Sequence, residues 1–203
     1  MEKPYSKAPL PFIGQKRNFI NAFRQCLTAN ISGDGTGWTV VDVFGGSGLL
    51  AHNAKRLLPK ATVIYNDWDG YADRLANIGD TERLRQILLK QLQPIPRQKA
   101  LTADQKQAVI DILDDFDGYI DVQSLATWLL FSGKQVRTLE ELYQNTFYNT
   151  VRVSSFEPPT GYLDGLTITC ESYTKLMARY KDKPNTLLLL DPPYLYTGQG
   201  AYK

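Results

Sequence analysis

The residues with the clearest capacity for chemistry are Asp191-Pro192-Pro193-Tyr194, which follow the apolar run NTLLLL at 185–190. An acid at the carboxyl edge of an apolar strand lies where α/β proteins place their ligands. Paired prolines stiffen the turn and remove two backbone donors, so that carbonyls are left outward as acceptors. A carboxylate and a carbonyl beside a tyrosine ring suit a planar base bearing an amino group: the acceptors take its two N–H hydrogens and the ring stacks on its face. The plain alternative is a stiff turn in which Asp191 is only a cap.

Two further clusters lie upstream. Phe44-Gly45-Gly46-Ser47-Gly48 follows the strand-like run WTVVDVF. Glycines there permit a tight turn and close backbone approach of a ligand to a helix amino terminus. The spacing departs from the dinucleotide pattern G-x-G-x-x-G, and the chain has no P-loop G-K-[ST]. Next, ATVIYND delivers Asp67, with Asp69 two residues on, to the end of a second strand. A carboxylate in that place can accept hydrogen bonds from both hydroxyls of a ribose, or it can simply cap the following helix.

The elements that must hold these clusters are legible in hydrophobic spacing. Phe19, Ile20, Phe23 and Leu27 form one helical stripe, and Leu50, Ala54 and Leu57 another after the glycine turn. Strand, glycine turn, helix and strand make the right-handed unit of a parallel α/β sheet. From Pro94 and Pro96 the rhythm changes to a mainly helical lobe over residues 94–160, with Thr102 and Gln105 as a capping box. The segment at 148–165 reads as an irregular strand or hairpin ended by prolines. The α/β pattern then resumes at 161–203 with LTIT, the helix ESYTKLMARY, and NTLLLLD as a strand covered on both faces.

Composition sets outer bounds. The 203 residues are 43% hydrophobic and 22% charged, enough for one domain carrying a smaller lobe. No apolar run approaches the ~18 residues of a membrane helix, and the amino terminus lacks a secretory core, so a cytosolic address is the default. Cys26, Cys170 and the single histidine, His52, are too few for a disulfide framework or a zinc site, and the thiols read as buried spectators. A net charge of +2 permits nucleic-acid binding without arguing for it.

Taken in order, PFIGQK, DVFGGSG, YNDWD, ITCESY and LLLLDPPY resemble the DNA adenine-N6 methyltransferases of the Dam type. The resemblance covers most of the chain outside the inserted lobe. It implies a Rossmann-like methyltransferase fold, incomplete at the carboxyl end, with S-adenosylmethionine as cofactor, double-stranded DNA as partner and no metal. It assigns Phe12, Gly14 and Lys16 to an amino-terminal cofactor stretch, Phe44, Gly46 and Gly48 to the cofactor turn, and Asp67 to the ribose. Glu171 and Ser172 fall in the string that touches the cofactor adenine in relatives, although Ser172 stands where many carry Asp. Asp191, Pro192, Pro193 and Tyr194 match the catalytic motif, with Asp191 also near the cofactor. The implied reaction uses the acceptors of Asp191 and Pro192 to activate an adenine flipped from the duplex onto Tyr194.

In this reading the inserted lobe reads DNA, with Lys134, Arg137, Asn149 and Arg152 as phosphate or base contacts. Alternatives of another class are a cofactor- or DNA-binding remnant without transfer, or a methyltransferase acting on RNA or a protein amide. The family architecture continues beyond the D-P-P-Y motif, whereas only LYTGQGAYK follows it here. The strand at 186–190 is therefore expected as an exposed apolar edge, open to a missing segment or a complementing chain. The expectation for this chain alone is some cofactor-binding surface with little or no methyl transfer.

Overall fold

The computed structural model describes residues 4–131 and 133–192. In chain order the elements are α1 (Ile20–Asn30), β1 (Thr39–Asp42), α2 (Leu49–Leu57), β2 (Thr62–Asn66), α3 (Tyr71–Ala76), α4 (Ile78–Gln91), α5 (Ala103–Asp114), α6 (Val122–Leu129), α7 (Leu139–Tyr143), β3 (Leu166–Thr169), α8 (Tyr173–Tyr180) and β4 (Thr186–Leu189). They fall into two compact units. Of the described residues, one holds 4–8, 12–73 and 159–192; the other holds 74–158 with Pro9–Pro11.

The first unit is a parallel sheet in the order β3-β2-β1-β4. This is a Rossmann-like α/β arrangement. Side-chain alternation along the strands divides its core. Val40 and Val63, flanked by Leu187 and Leu189, pack with Leu27, Ile31, Ala51, Ala54 and Leu58 of the α1–α2 side. Val41 and Ile64, with Leu188, face the other way toward Met177 and Tyr180 of α8. Each fully buried valine or leucine contributes about 1.5–3 kcal/mol, so the two central strands hold the framework.

Three expectations need correction. β4 is covered on both faces only in part: Leu187 and Leu189 meet one cluster and Leu188 the other, but the strand is the edge of the described sheet, its four residues are half-buried, and Leu190 is 52% exposed. Cys26 and Cys170 are exposed rather than buried, Cys26 because it lies off the packed stripe of α1 and Cys170 because it follows the outer strand β3. No strand forms in the described chain between Thr150 and Leu166; the nearest ladder contact is an isolated antiparallel bridge between Ala100 and Tyr148. Pro158 and Pro159 deny that segment ladder donors.

The second unit is helical. Thr102 accepts from Gln105 N and the Gln105 side chain returns to the Thr102 backbone, forming the expected capping box of α5. Asp121 caps α6 through Ser124 and receives Arg74 through Nε at 2.9 Å and Nη2 at 3.0 Å, both side chains being buried. Removing one partner would strand the other charge in the interior. Among the described residues, no helix is long and apolar enough to cross a membrane.

Candidate active site

A cavity of about 380 Å³ opens in the first unit at the carboxyl ends of the strands. Phe12, Gly14 and Lys16 form one side of it. Phe44 and Gly46 of the glycine turn form the floor, and Glu171, Ser172, Asp191 and Pro192 complete the wall. Segments far apart in sequence thus meet at one surface. The contact that joins the amino-terminal stretch to the end of β4 is an ion pair, with Lys16 Nζ 2.6 Å from Asp191 Oδ2.

The turn after β1 needs its glycines for steric reasons. A Cβ on Gly45 would lie 2.4 Å from the Tyr65 ring, and one on Gly46, where φ is +49°, would lie 2.9 Å from Phe12 Cε1. The turn is therefore pressed between an aromatic from β2 and one from the amino-terminal stretch. Tyr65 also places its hydroxyl 2.6 Å from Gly46 O, and Tyr162 donates to Ser47 O at 2.9 Å. His52 lies beneath, stacked on Tyr162. Its Nε2 accepts from Tyr5 N, so Nδ1 carries the proton that goes to Tyr162 O at 2.7 Å. Burial pushes the His52 pKa down, which suits a neutral structural imidazole.

Gly48 and Asp67 do not line the cavity. Gly48 is the N-cap of α2. Asp67 is buried, accepting Tyr71 N at 2.7 Å and Tyr65 Oη at 3.0 Å through Oδ1, and Ala72 N at 2.8 Å through Oδ2. Both its oxygens are committed to the start of α3, the capping alternative noted above. The wall beside β2 is formed instead by Asn66, Trp68 and Asp69. Asn66 ties two strand ends together, donating to Val43 O at 3.0 Å and Glu171 O at 2.9 Å while accepting from Glu171 N.

Glu171 is held in a two-bond ion pair with Arg179, at 2.8 and 2.6 Å, and the guanidinium lowers its pKa. Ser172 begins α8 as its N-cap. Pro193 and Tyr194 lie outside the described residues.

Sequence reasoning passed over Asp42. It ends β1, is 2% exposed and lies on the cavity wall. Oδ2 accepts Ala51 N at 3.2 Å. Burial, with a smaller push from the charge of Asp191, raises its pKa from 3.8 to about 7. The signal was present: an acid closing an apolar strand just before a glycine turn follows the rule that singles out Asp191.

The proposed DNA contacts of the second unit divide sharply. Lys134 and Arg137 are exposed. Asn149 is buried, its amide donating to Leu92 O at 3.0 Å and Ile95 O at 2.6 Å while its oxygen accepts from Arg97 at 3.1 Å. It clamps the proline loop and has little capacity left for a base edge. Arg152 lies over the Phe156 ring at 4.4 Å and donates to Ser154 O and Ser155 O. Among the described residues, no group of three or more His, Cys, Asp or Glu could hold a metal ion.

Residues 12–202 match the family MethyltransfD12, described as D12 class N6 adenine-specific DNA methyltransferase. The chain belongs to the D12 class. This D12 chain is also similar to a Haemophilus influenzae protein named "Putative methyltransferase", being 53% identical over 203 residues, which is 100% of the chain and 69% of that relative. No solved structure matches it. The match runs through both units, so the helical unit of this D12 methyltransferase lies within the family as well.

Proposed function

We propose that this D12 chain binds S-adenosylmethionine in the cavity of its first unit and directs the methyl group to N6 of adenine in double-stranded DNA. The observation that carries the reading is the junction of Lys16 and Asp191 on the wall that also holds the glycine turn. The donor set suits the cofactor. A cavity of about 380 Å³ is in the size range of small-molecule sites. Its wall combines the rings of Phe12, Phe44 and Trp68 with the acids Asp42, Asp69 and Asp191, fitting an adenosine that carries positive charge.

In this reading Trp68, which is 50% exposed, and Phe44 supply apolar surface for the adenosine, and Asp69 takes the ribose-facing place beside them. When bound, S-adenosylmethionine supplies an electrophilic methyl group. Asp191 and the Pro192 carbonyl accept the hydrogens of the adenine amine, concentrating electron density on its nitrogen as positive charge develops there. Lys16 holds Oδ2 of Asp191, fixing the carboxylate and leaving Oδ1 for the amine. Holding both reactants on one wall contributes the proximity term, on the order of several kcal/mol. Because N6 is inaccessible inside a duplex, the base enters flipped. Lys134 and Arg137 are the exposed cations of the second unit best suited to phosphates.

The reading is tested by incubating excess chain with methyl-labelled S-adenosylmethionine and duplex DNA, then digesting the products to nucleosides. Label is expected in N6-methyldeoxyadenosine and is lost with Asp191→Ala. Label in another base, in RNA or in a protein amide would overturn the reading, as would label that survives the substitution.

A further inference from the structure

We propose that Asp42 lets the site distinguish the charged, methyl-bearing cofactor from its neutral spent form, by releasing a proton when the positive charge enters. This rests on the S-adenosylmethionine reading above. Asp42 stands at the carboxyl end of β1, where the cavity reaches the sheet. Its surroundings are poor in compensation: it accepts one hydrogen bond, from Ala51 N, and enters no ion pair among the described residues.

The groups around it come from every neighbouring element. Tyr65 is its register partner on β2. On β4 the register partner is Leu189, and Asp191 follows two residues later at the same edge. From α2 comes the Ala51 N–H, and from the segment before β3 comes the Tyr162 phenol, which senses the charge of Asp42. Neither tyrosine supplies positive charge, and Asp191 adds like charge. The nearby lysine, Lys16, is already paired to Asp191. Asp42 thus sits at a cavity wall in a setting that disfavours its ionised form, which is why its pKa stands near 7.

A cation entering this cavity reverses that preference, because an opposite charge stabilises the carboxylate. S-adenosylmethionine and S-adenosylhomocysteine share the ribose, the base and the amino-acid tail, and differ in the sulfonium charge. Only the methyl-bearing form should therefore ionise Asp42 beyond what the common parts do. Linkage gives the sign: as pH falls through about 7, the protonated acid must first give up its proton to become the carboxylate the cation gains from, so affinity for the sulfonium form declines. The thioether form is insensitive over the same interval. The site is consequently biased against holding its spent cofactor at neutral and higher pH.

Calorimetric titration of the 203-residue chain with each form, in buffers of different ionisation enthalpy, measures the proton directly. Expected is release approaching half a proton per site near pH 7 with the sulfonium form, and near zero with the thioether. Affinity for the sulfonium form should rise about tenfold from about pH 6 to about pH 8. Asp42→Asn, which keeps an acceptor for Ala51 N, should abolish both effects and narrow the preference between the two forms. The wild-type titration stands by itself if that variant does not fold. Equal proton release with both forms would overturn the proposal by assigning Asp42 to the shared amino-acid tail. Binding of both with no release would overturn it too, leaving the cofactor reading intact, whereas failure of either form to bind overturns both.

Discussion

β1 and β4 lie side by side, and each delivers an aspartate to the same edge of the sheet, yet the two acids are in opposite circumstances. Asp42 closes a central strand, is buried and has one hydrogen-bond donor. Asp191 follows a half-buried edge strand, is partly open to solvent and is gripped by Lys16. The same residue type at one edge of the sheet therefore meets two different settings. An acid with a cation on one oxygen is an oriented acceptor, fit to receive an N–H. An acid denied a cation responds to charge brought by a ligand.

Breaking the first member should have the largest effect. Asp191→Ala is expected to reduce methyl transfer by about 100-fold or more, with cofactor affinity changing by less than about tenfold. Single-turnover rates and binding constants separate the two. Asp42→Asn sharpens the contrast without ligand. Because the folded pKa of Asp42 is raised, the native state holds the proton more tightly than the unfolded chain, and stability falls as pH rises from about 4 to about 7. The variant should flatten that part of a thermal-melt profile and be more stable than wild type above about pH 7.

Gly46→Ala tests whether the turn between the acids is as closely packed as its geometry requires. A new Cβ meets the Phe12 ring at 2.9 Å on a backbone of positive φ, so a loss of about 1–3 kcal/mol in stability is expected, with weakened cofactor binding. Phe12→Leu combined with it should restore part of the binding. Lys16→Met is expected to have the smallest effect: it frees Asp191 without removing it, lowering the single-turnover rate about tenfold and leaving folding unchanged within about 1 kcal/mol. A melt curve and single-turnover rates check both.

Much of the frame could be read from periodicity. The β-branched runs at Val40–Val41 and Val63–Ile64 became the buried centre, and Thr102 and Gln105 marked a helix start by local chemistry alone. Residues whose role depends on partners far along the chain were harder to read. Asp67 and Asp69 look equivalent in sequence, and it takes the N–H groups of Tyr71 and Ala72 and the Tyr65 hydroxyl to commit Asp67 to the fold. Asn149 has the composition of a base reader, but carbonyls of Leu92 and Ile95 consume its donors. The burial of β4 depends on sheet order, which its leucines do not encode.

The central claim, that this cavity serves methyl transfer to adenine N6, is tested most directly by the identity of the methylated product. With chain in excess over duplex DNA and methyl-labelled S-adenosylmethionine, a single turnover should place label in N6-methyldeoxyadenosine, with about 100-fold less from Asp191→Ala. Label in cytosine or in an acceptor other than DNA, no label at all, or an Asp191→Ala variant that matches wild type would contradict it.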